Sequence, residues 1–223
     1  MKRVAGKFLF LVMAFGLTGC AISRSHIPIE IPAANQSVEE NGHQVLIRSI
    51  VDKRQFQNHP PSADMPSLRG DVETAGSEIK SRAVGRKRNT FGKALGDILL
   101  DEGETVENVV YQATRNSLIS LGYKVTNKKE EARPGAIVMD ITIEKFWGWF
   151  APGFSSIQLK SDISTTHKID NPKRPGENVT KIEAHAVNSY QMATNANWKK
   201  TFHSALLDFS GKAKLNFERL HES

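Results

Sequence analysis

Seven histidines (His26, His43, His59, His167, His185, His203 and His221) are the residues of this 223-residue chain best suited to metal binding or proton transfer. No two stand at the i,i+2 or i,i+4 spacing that puts ligands on one strand or helix face, whereas zinc needs three or four converging ligands. They are expected at solvated or strand-edge positions. Asp140 and Glu144 would lie on one face of a strand about 13 Å apart, beyond the roughly 5–9.5 Å that glycosidic carboxylates require. The G-x-S-x-G, H-E-x-x-H, C-x-x-C and G-x-G-x-x-G patterns are absent. Gly85 and Gly92-Lys93 have the wrong spacing for a phosphate loop, and Ala94 stands where a hydroxyl residue is needed. One cysteine, Cys20, excludes an internal disulfide and any thiolate cluster. No enzymatic activity, metal or cofactor is expected.

Two segments have the composition of a contact surface. Phe146-Trp147-Gly148-Trp149-Phe150-Ala151-Pro152-Gly153-Phe154 holds five of the 17 aromatic residues. Strand alternation places Trp147 and Trp149 on one face and Phe146 and Gly148 on the other. With Phe150 and Phe154 nearby, the tryptophans could stack on sugars, grip a peptide or sit at a membrane interface; alternatively they cover a helix and complete the core. The second segment, Ile79–Leu95, carries Lys80, Arg82, Arg86, Lys87, Arg88 and Lys93 with no acidic residue. A mobile loop bearing Arg82, Arg86, Lys87 and Arg88 would meet lipid phosphates or an acidic partner, or would simply be solvated.

Lys2, Arg3 and Lys7 precede an apolar stretch, Phe8 to Leu17, that is too short to span a bilayer. It ends in Leu17-Thr18-Gly19-Cys20, which resembles the cleavage site of bacterial lipoprotein precursors. That resemblance implies cleavage before Cys20, acylation of Cys20 and a stable membrane anchor, since two or more acyl chains hold where one does not. Ala21 in place of Asp implies sorting to the outer membrane, facing the periplasm. Removing residues 1–19 removes three of 30 basic residues and none of the 24 acidic ones, so the net charge falls from +6 to 27 − 24 = +3. The weak remaining basicity and the export signal exclude nucleic acid as a sensible partner.

Residues 20–43, rich in Ser, Pro, Asn and Gly, are expected to be a lipidated flexible tether, with residues 44–223 forming one domain. Val45–Val51 is apolar on both faces and predicts a strand buried on two sides. Residues 55–92 are sparse in apolar side chains and read as a long loop, with a short strand possible near 79–84. Thr105 caps a helix closed by Gly122. Strands follow at 123–126, 136–144, 157–167 and 179–190, with a turn at 171–176. A helix capped by Thr194 or Asn195 then carries the stripe Trp198, Phe202, Ala205, Leu206, Phe209, Ala213, Phe217 and Leu220. The expected fold is α+β: an antiparallel or mixed sheet of about four to six strands, with two main helices on one face.

The order of these elements, together with Val51-Asp52-Lys53-Arg54, Ser120-Leu121-Gly122-Tyr123-Lys124-Val125 and Ile143–Phe154, resembles the YajG-like family of outer-membrane lipoproteins. The resemblance spans nearly the whole chain and implies no catalytic residues. It implies a tethered domain that binds another envelope component, whether protein, peptidoglycan or lipid. The alternatives are a lipid-handling accessory of an envelope transport system, which requires an apolar groove between sheet and helices, and a cell-wall hydrolase, for which no acid–base or metal constellation is present.

Overall fold

The computed structural model describes residues 24–89, 91–153 and 155–220. The elements are β1 (Ser25–Ile27), β2 (Gln44–Asp52), α1 (Ser77–Arg82), β3 (Ala83–Arg88), β4 (Ala94–Leu100), α2 (Val106–Ile119), β5 (Lys124–Thr126), β6 (Ile137–Pro152), β7 (Ile157–Asn171), β8 (Arg174–Tyr190) and α3 (Asn195–Phe217). Both main helices start where the capping residues require. Thr105 Oγ1 accepts from the Asn108 amide at 3.1 Å, and Thr194 Oγ1 accepts from the Asn197 amide at 3.2 Å. Past the end of α2, Gly122 takes a φ of 82°, a conformation that side chains resist.

All eight strands of the described residues form one mixed sheet, branched at β6. One edge of β6 pairs antiparallel with β7 over its whole length, and β7 pairs likewise with β8. The other edge pairs parallel with β2 from Ile137 to Ile143 and then, at Gly148, with β3. Beyond β2 lies β5; beyond β3 lie β4 and β1. The sheet thus forks on one side of β6, and Arg54 fills the notch. Its side chain is fully buried. Nε and Nη2 donate to the Asp52 carboxylate, Nη2 also to Lys80 O at 2.8 Å, and Nη1 to Phe146 O at 3.1 Å and to Ala83 O. All five guanidinium N–H groups are used, so a buried cation costs little here.

A bulge at Glu144 shifts β6 by one residue against β7. Before it, Ile137, Met139, Ile141 and Ile143 face the helices; after it, Phe146, Gly148 and Phe150 do. Phe146 stacks on Phe202 with ring centroids 5.7 Å apart. A Cβ on Gly148 would lie 2.7 Å from the Phe202 ring and 2.9 Å from that of Trp198. Residues 146, 198, 202, 205, 206, 209, 213 and 217 have no exposed surface, so the α3 stripe is the floor of the main core.

Four expectations are corrected. The sheet has eight strands, not four to six, because β3 and β4 were hidden by charge: β4 contains Asp97, which is fully buried, bonded to Arg24 Nε at 3.1 Å and to the Arg69 amide at 2.8 Å. Residues 55–92 are not one long loop, since they contain α1 and β3. The expected tether at 20–43 is interrupted by β1, whose Ile27 is buried in the main core. β2 is buried on two sides only from Gln44 to Ile47; a bulge at Arg48 turns its end outward, leaving Val51 44% exposed.

Replacing Arg54 with Met removes the cation but leaves Asp52 and three carbonyls behind. Arg54→Met should destabilise the fold by about 3–5 kcal/mol in urea denaturation, and an unchanged midpoint would show that the fork does not need this residue. Gly148→Ala overpacks the α3 contact and should cost about 1–3 kcal/mol in the same assay.

Candidate functional site

The structure separates the two sequence candidates. Trp147 and Trp149 do share a face, but it is covered. The fully buried Trp147 ring packs edge-on to Phe56 at 6.1 Å, lies in a second core with Leu68, Val72, Ala83 and Leu99, and donates from Nε1 to Ala63 O at 3.2 Å. Residues 53–76, with Ile79 of α1, cover this second core, because the Glu144 bulge sends Trp147 to the face opposite α2 and α3. Trp149 is half-buried, with Lys145 Nζ 5.2 Å over its ring. Phe150 is buried in the main core. Phe154 and Cys20 lie outside the described residues. The aromatic segment is therefore mostly core.

The basic segment is ordered, not a loose loop. Arg82 ends α1 and is buried: Nε and Nη2 donate to Leu100 O at 3.2 and 3.0 Å, and Nη1 to Glu78. It is a structural cation. Lys87 Nζ donates to Ser25 Oγ, joining β3 to β1. Arg86 and Arg88 are on the other side of β3, lining an open cleft of about 680 Å³ with Asn58, His59, Pro60, Gly70, Asp71 and Ala94. Each Nε is buried without a hydrogen-bond partner in the protein. Burial pushes both guanidinium groups below their ordinary pKa; for Arg86, nearby Asp97 partly offsets this. The cleft's own acid, Asp71, is already engaged by Asn58 Nδ2 at 2.9 Å and by the Glu73 amide at 3.0 Å, and these bonds hold its carboxyl below the usual range. Two half-buried cations without a bonded carboxylate have the chemistry to receive an external anion.

A second cleft of similar volume is lined by Glu144, Lys145, Asp162, Lys181, Glu183, His185 and Lys212. Its charges are satisfied internally. Lys145 pairs with Asp162 at 2.8 Å and Lys181 with Glu183 at 2.6 Å, His185 also reaches Asp162, and Lys212 pairs with Asp208 at 2.8 Å. Asp140 and Glu144 are likewise occupied, by Arg48 and Ser49 and by Ser164 and Thr166. Among the described residues, no three of His, Cys, Asp and Glu converge as metal ligands, and no helix is long and apolar enough to cross a membrane.

Sequence spacing missed Asn58, His59 and Asp71, which join the cleft only because residues 53–76 fold back over β6. It also misplaced His167, which is fully buried rather than solvated, with Nε2 2.8 Å from Thr165 Oγ1 and its ring 5.3 Å from that of Phe217. Burial lowers its pKa to about 3. The unfolded chain therefore binds a proton that the folded one refuses between about pH 6.5 and 3, and stability should fall as pH falls through that window. His167→Gln should flatten the acid limb of a pH–stability curve measured by urea denaturation, and an equally steep limb in the variant would contradict this assignment.

No protein-family model matches the chain, and no curated protein matches it either. The YajG-like resemblance thus rests on the residues quoted for it. Among solved structures, the chain is similar to a homolog of neuraminyllactose-binding hemagglutinin from Helicobacter pylori (11% identity, TM-score 0.40, covering 89% of this chain and 99% of that one). It is similar also to a Xanthomonas campestris protein of family DUF330 (13%, 0.39, 88% and 91%) and to a minor lipoprotein from Acinetobacter baumannii (12%, 0.37, 50% and 80%). At these values the likenesses are distant, and they carry no residue-by-residue correspondence.

Proposed function

We propose that this protein is a non-enzymatic lipoprotein of the YajG-like kind, anchored through Cys20 in the outer membrane and facing the periplasm, and that it holds an anionic group of another envelope component between Arg86 and Arg88. The observation that carries the proposal is the pair of half-buried guanidinium groups whose Nε atoms have no partner in the protein. Guanidinium forks bind planar anions such as phosphate and carboxylate bidentately, and a partly desolvated cation gains more from such a ligand than a fully hydrated one. Tethering supports this function because it keeps a weak site at high local concentration near its partner.

The lipid-carrying alternative needs an apolar groove between sheet and helices. That space is filled by Phe146, Trp198, Phe202, Phe209 and Phe217, none of which has exposed surface. The hydrolase alternative finds no support in the second cleft, where each acid is tied into an ion pair or hydrogen bond.

Capture from solubilised envelope tests the site. The parent protein should retain a component that inorganic pyrophosphate elutes, and Arg86→Gln/Arg88→Gln should lose at least about tenfold in affinity, as expected when bonds to charged groups of about 1.5–3 kcal/mol each are removed. Equal retention by parent and variant would sink the cleft proposal. Cys20→Ser should abolish outer-membrane fractionation of the mature form, and unchanged fractionation would refute the anchor.

A further inference from the structure

The first described strand enters the fold from the side of one particular turn. β1 runs parallel to β4 with Ser25 opposite Ile98, and β4 is entered from the turn at residues 89–93 that joins it to β3. Moving back from Ser25 therefore moves toward that turn. Cys20 precedes Ser25 by five positions, just as Lys93 precedes Ile98 by five. Five residues reach at most about 18 Å, so Cys20 lies within that distance of Ser25.

The turn itself is held by local hydrogen bonds. Asn89 Oδ1 accepts from the amides of Phe91 and Lys93 at 3.1 and 2.9 Å, the Gly92 amide donates to Asn89 O at 2.9 Å, and the Asn89 amide donates to Lys93 O at 3.0 Å. This arrangement leaves Phe91 93% exposed, while the next most exposed large hydrophobic of the described residues, Leu215, is 70% exposed. Lys93, two residues on, is exposed as well, in an interval with no acidic residue. The ring makes no core contact, so it is free to enter a second phase brought close to the turn.

We propose that the β3–β4 turn is a membrane-docking finger: Phe91 enters the headgroup region of the leaflet that holds the Cys20 acyl chains, and Lys93 meets the phosphates of anionic phospholipid, while Arg88, whose Nη1 donates to Gly92 O at 3.0 Å, stays in the cleft. The inference rests on the anchored state proposed above. The acyl chains supply the affinity, so the finger needs only to add a weak second contact; at the local concentration set by a five-residue leash, that contact fixes which way the domain faces. The Arg86–Arg88 cleft, on the same hairpin, is then held close to the membrane surface.

The test uses the full lipidated protein reconstituted in vesicles, with Phe91→Trp as the probe and Leu215→Trp, on α3, as the control, each measured as the difference from the parent's fluorescence. In vesicles containing phosphatidylglycerol, the tryptophan at 91 should emit at shorter wavelength and be quenched several-fold more by acyl-brominated lipid than the one at 215. Adding Lys93→Gln, or using phosphatidylcholine alone, should remove most of that difference. Equal aqueous iodide quenching at 91 and 215, with the N-terminal mass confirming acylation, would overturn the finger and leave the anchor intact. An unacylated N-terminus would overturn the anchor. Equal insertion in neutral and anionic vesicles would overturn the role of Lys93.

Discussion

One guanidinium group makes the branched sheet possible. Along a single edge of β6, β2 stops pairing at Ile143 and β3 begins at Gly148. Between them β6 would present unpaired backbone to a dry interior, which costs free energy comparable to lost hydrogen bonds. The Lys53 amide takes Ile143 O at 2.9 Å, and Arg54 takes Phe146 O. Arg54 also gathers Lys80 O and Ala83 O from the α1–β3 junction, so the same side chain fixes where the second branch starts. Asp52 supplies the counter-charge from two residues away, and Phe56 lies against the guanidinium at 5.3 Å. Lysine, with a single nitrogen, could not reach all of these acceptors.

The second constraint is the extra residue at Glu144. A strand with strict alternation would keep Ile143, Lys145 and Trp147 on the helix side, placing a charge in the main core. The bulge moves Lys145, Trp147 and Trp149 to the opposite face and brings Phe146 and Gly148 under α3. The molecule therefore has two cores, one on each side of the sheet. The lack of a side chain at Gly148 lets the rings of α3 approach the strand, and the same applies at Gly85, where a Cβ would lie 2.8 Å from Gly148 O. The candidate cleft follows from this arrangement, because the segment that covers Trp147 also delivers Asn58, His59 and Asp71 to the arginines.

Much of the fold was legible where residue type and period agreed. The caps Thr105 and Thr194, Gly122, the seven-residue buried stripe of α3 and the β6–β7–β8 meander follow from local rules. Asp52-Lys53-Arg54 was visible as a signature, but its purpose was not, since its partners are backbone carbonyls 26 to 92 residues away. β3 and β4 were obscured because Arg86, Lys87, Arg88 and Asp97 look like loop chemistry until tertiary pairing offsets their charge. The candidate site was half legible. Arg86 and Arg88 stood out by composition, but Arg82 in the same run proved structural, and no local pattern separates a cation that caps a carbonyl from one that faces a cleft. Phe91 carried a signal that strand periodicity does not use: a lone aromatic with polar Asn89 and Lys93 at the two i±2 positions.

The parallel pairing of β1 with β4 also determines how the domain responds to mechanical force. Tension on a chain leaving Ser25 toward the β3–β4 turn acts along the strand axis, so the β1–β4 hydrogen bonds are sheared together instead of peeled one at a time. Beyond them the pull passes to Ile27, Ile29 and Ile31, which pack against the main core. A domain pulled through its N-terminus would thus resist through the core that these residues pack against.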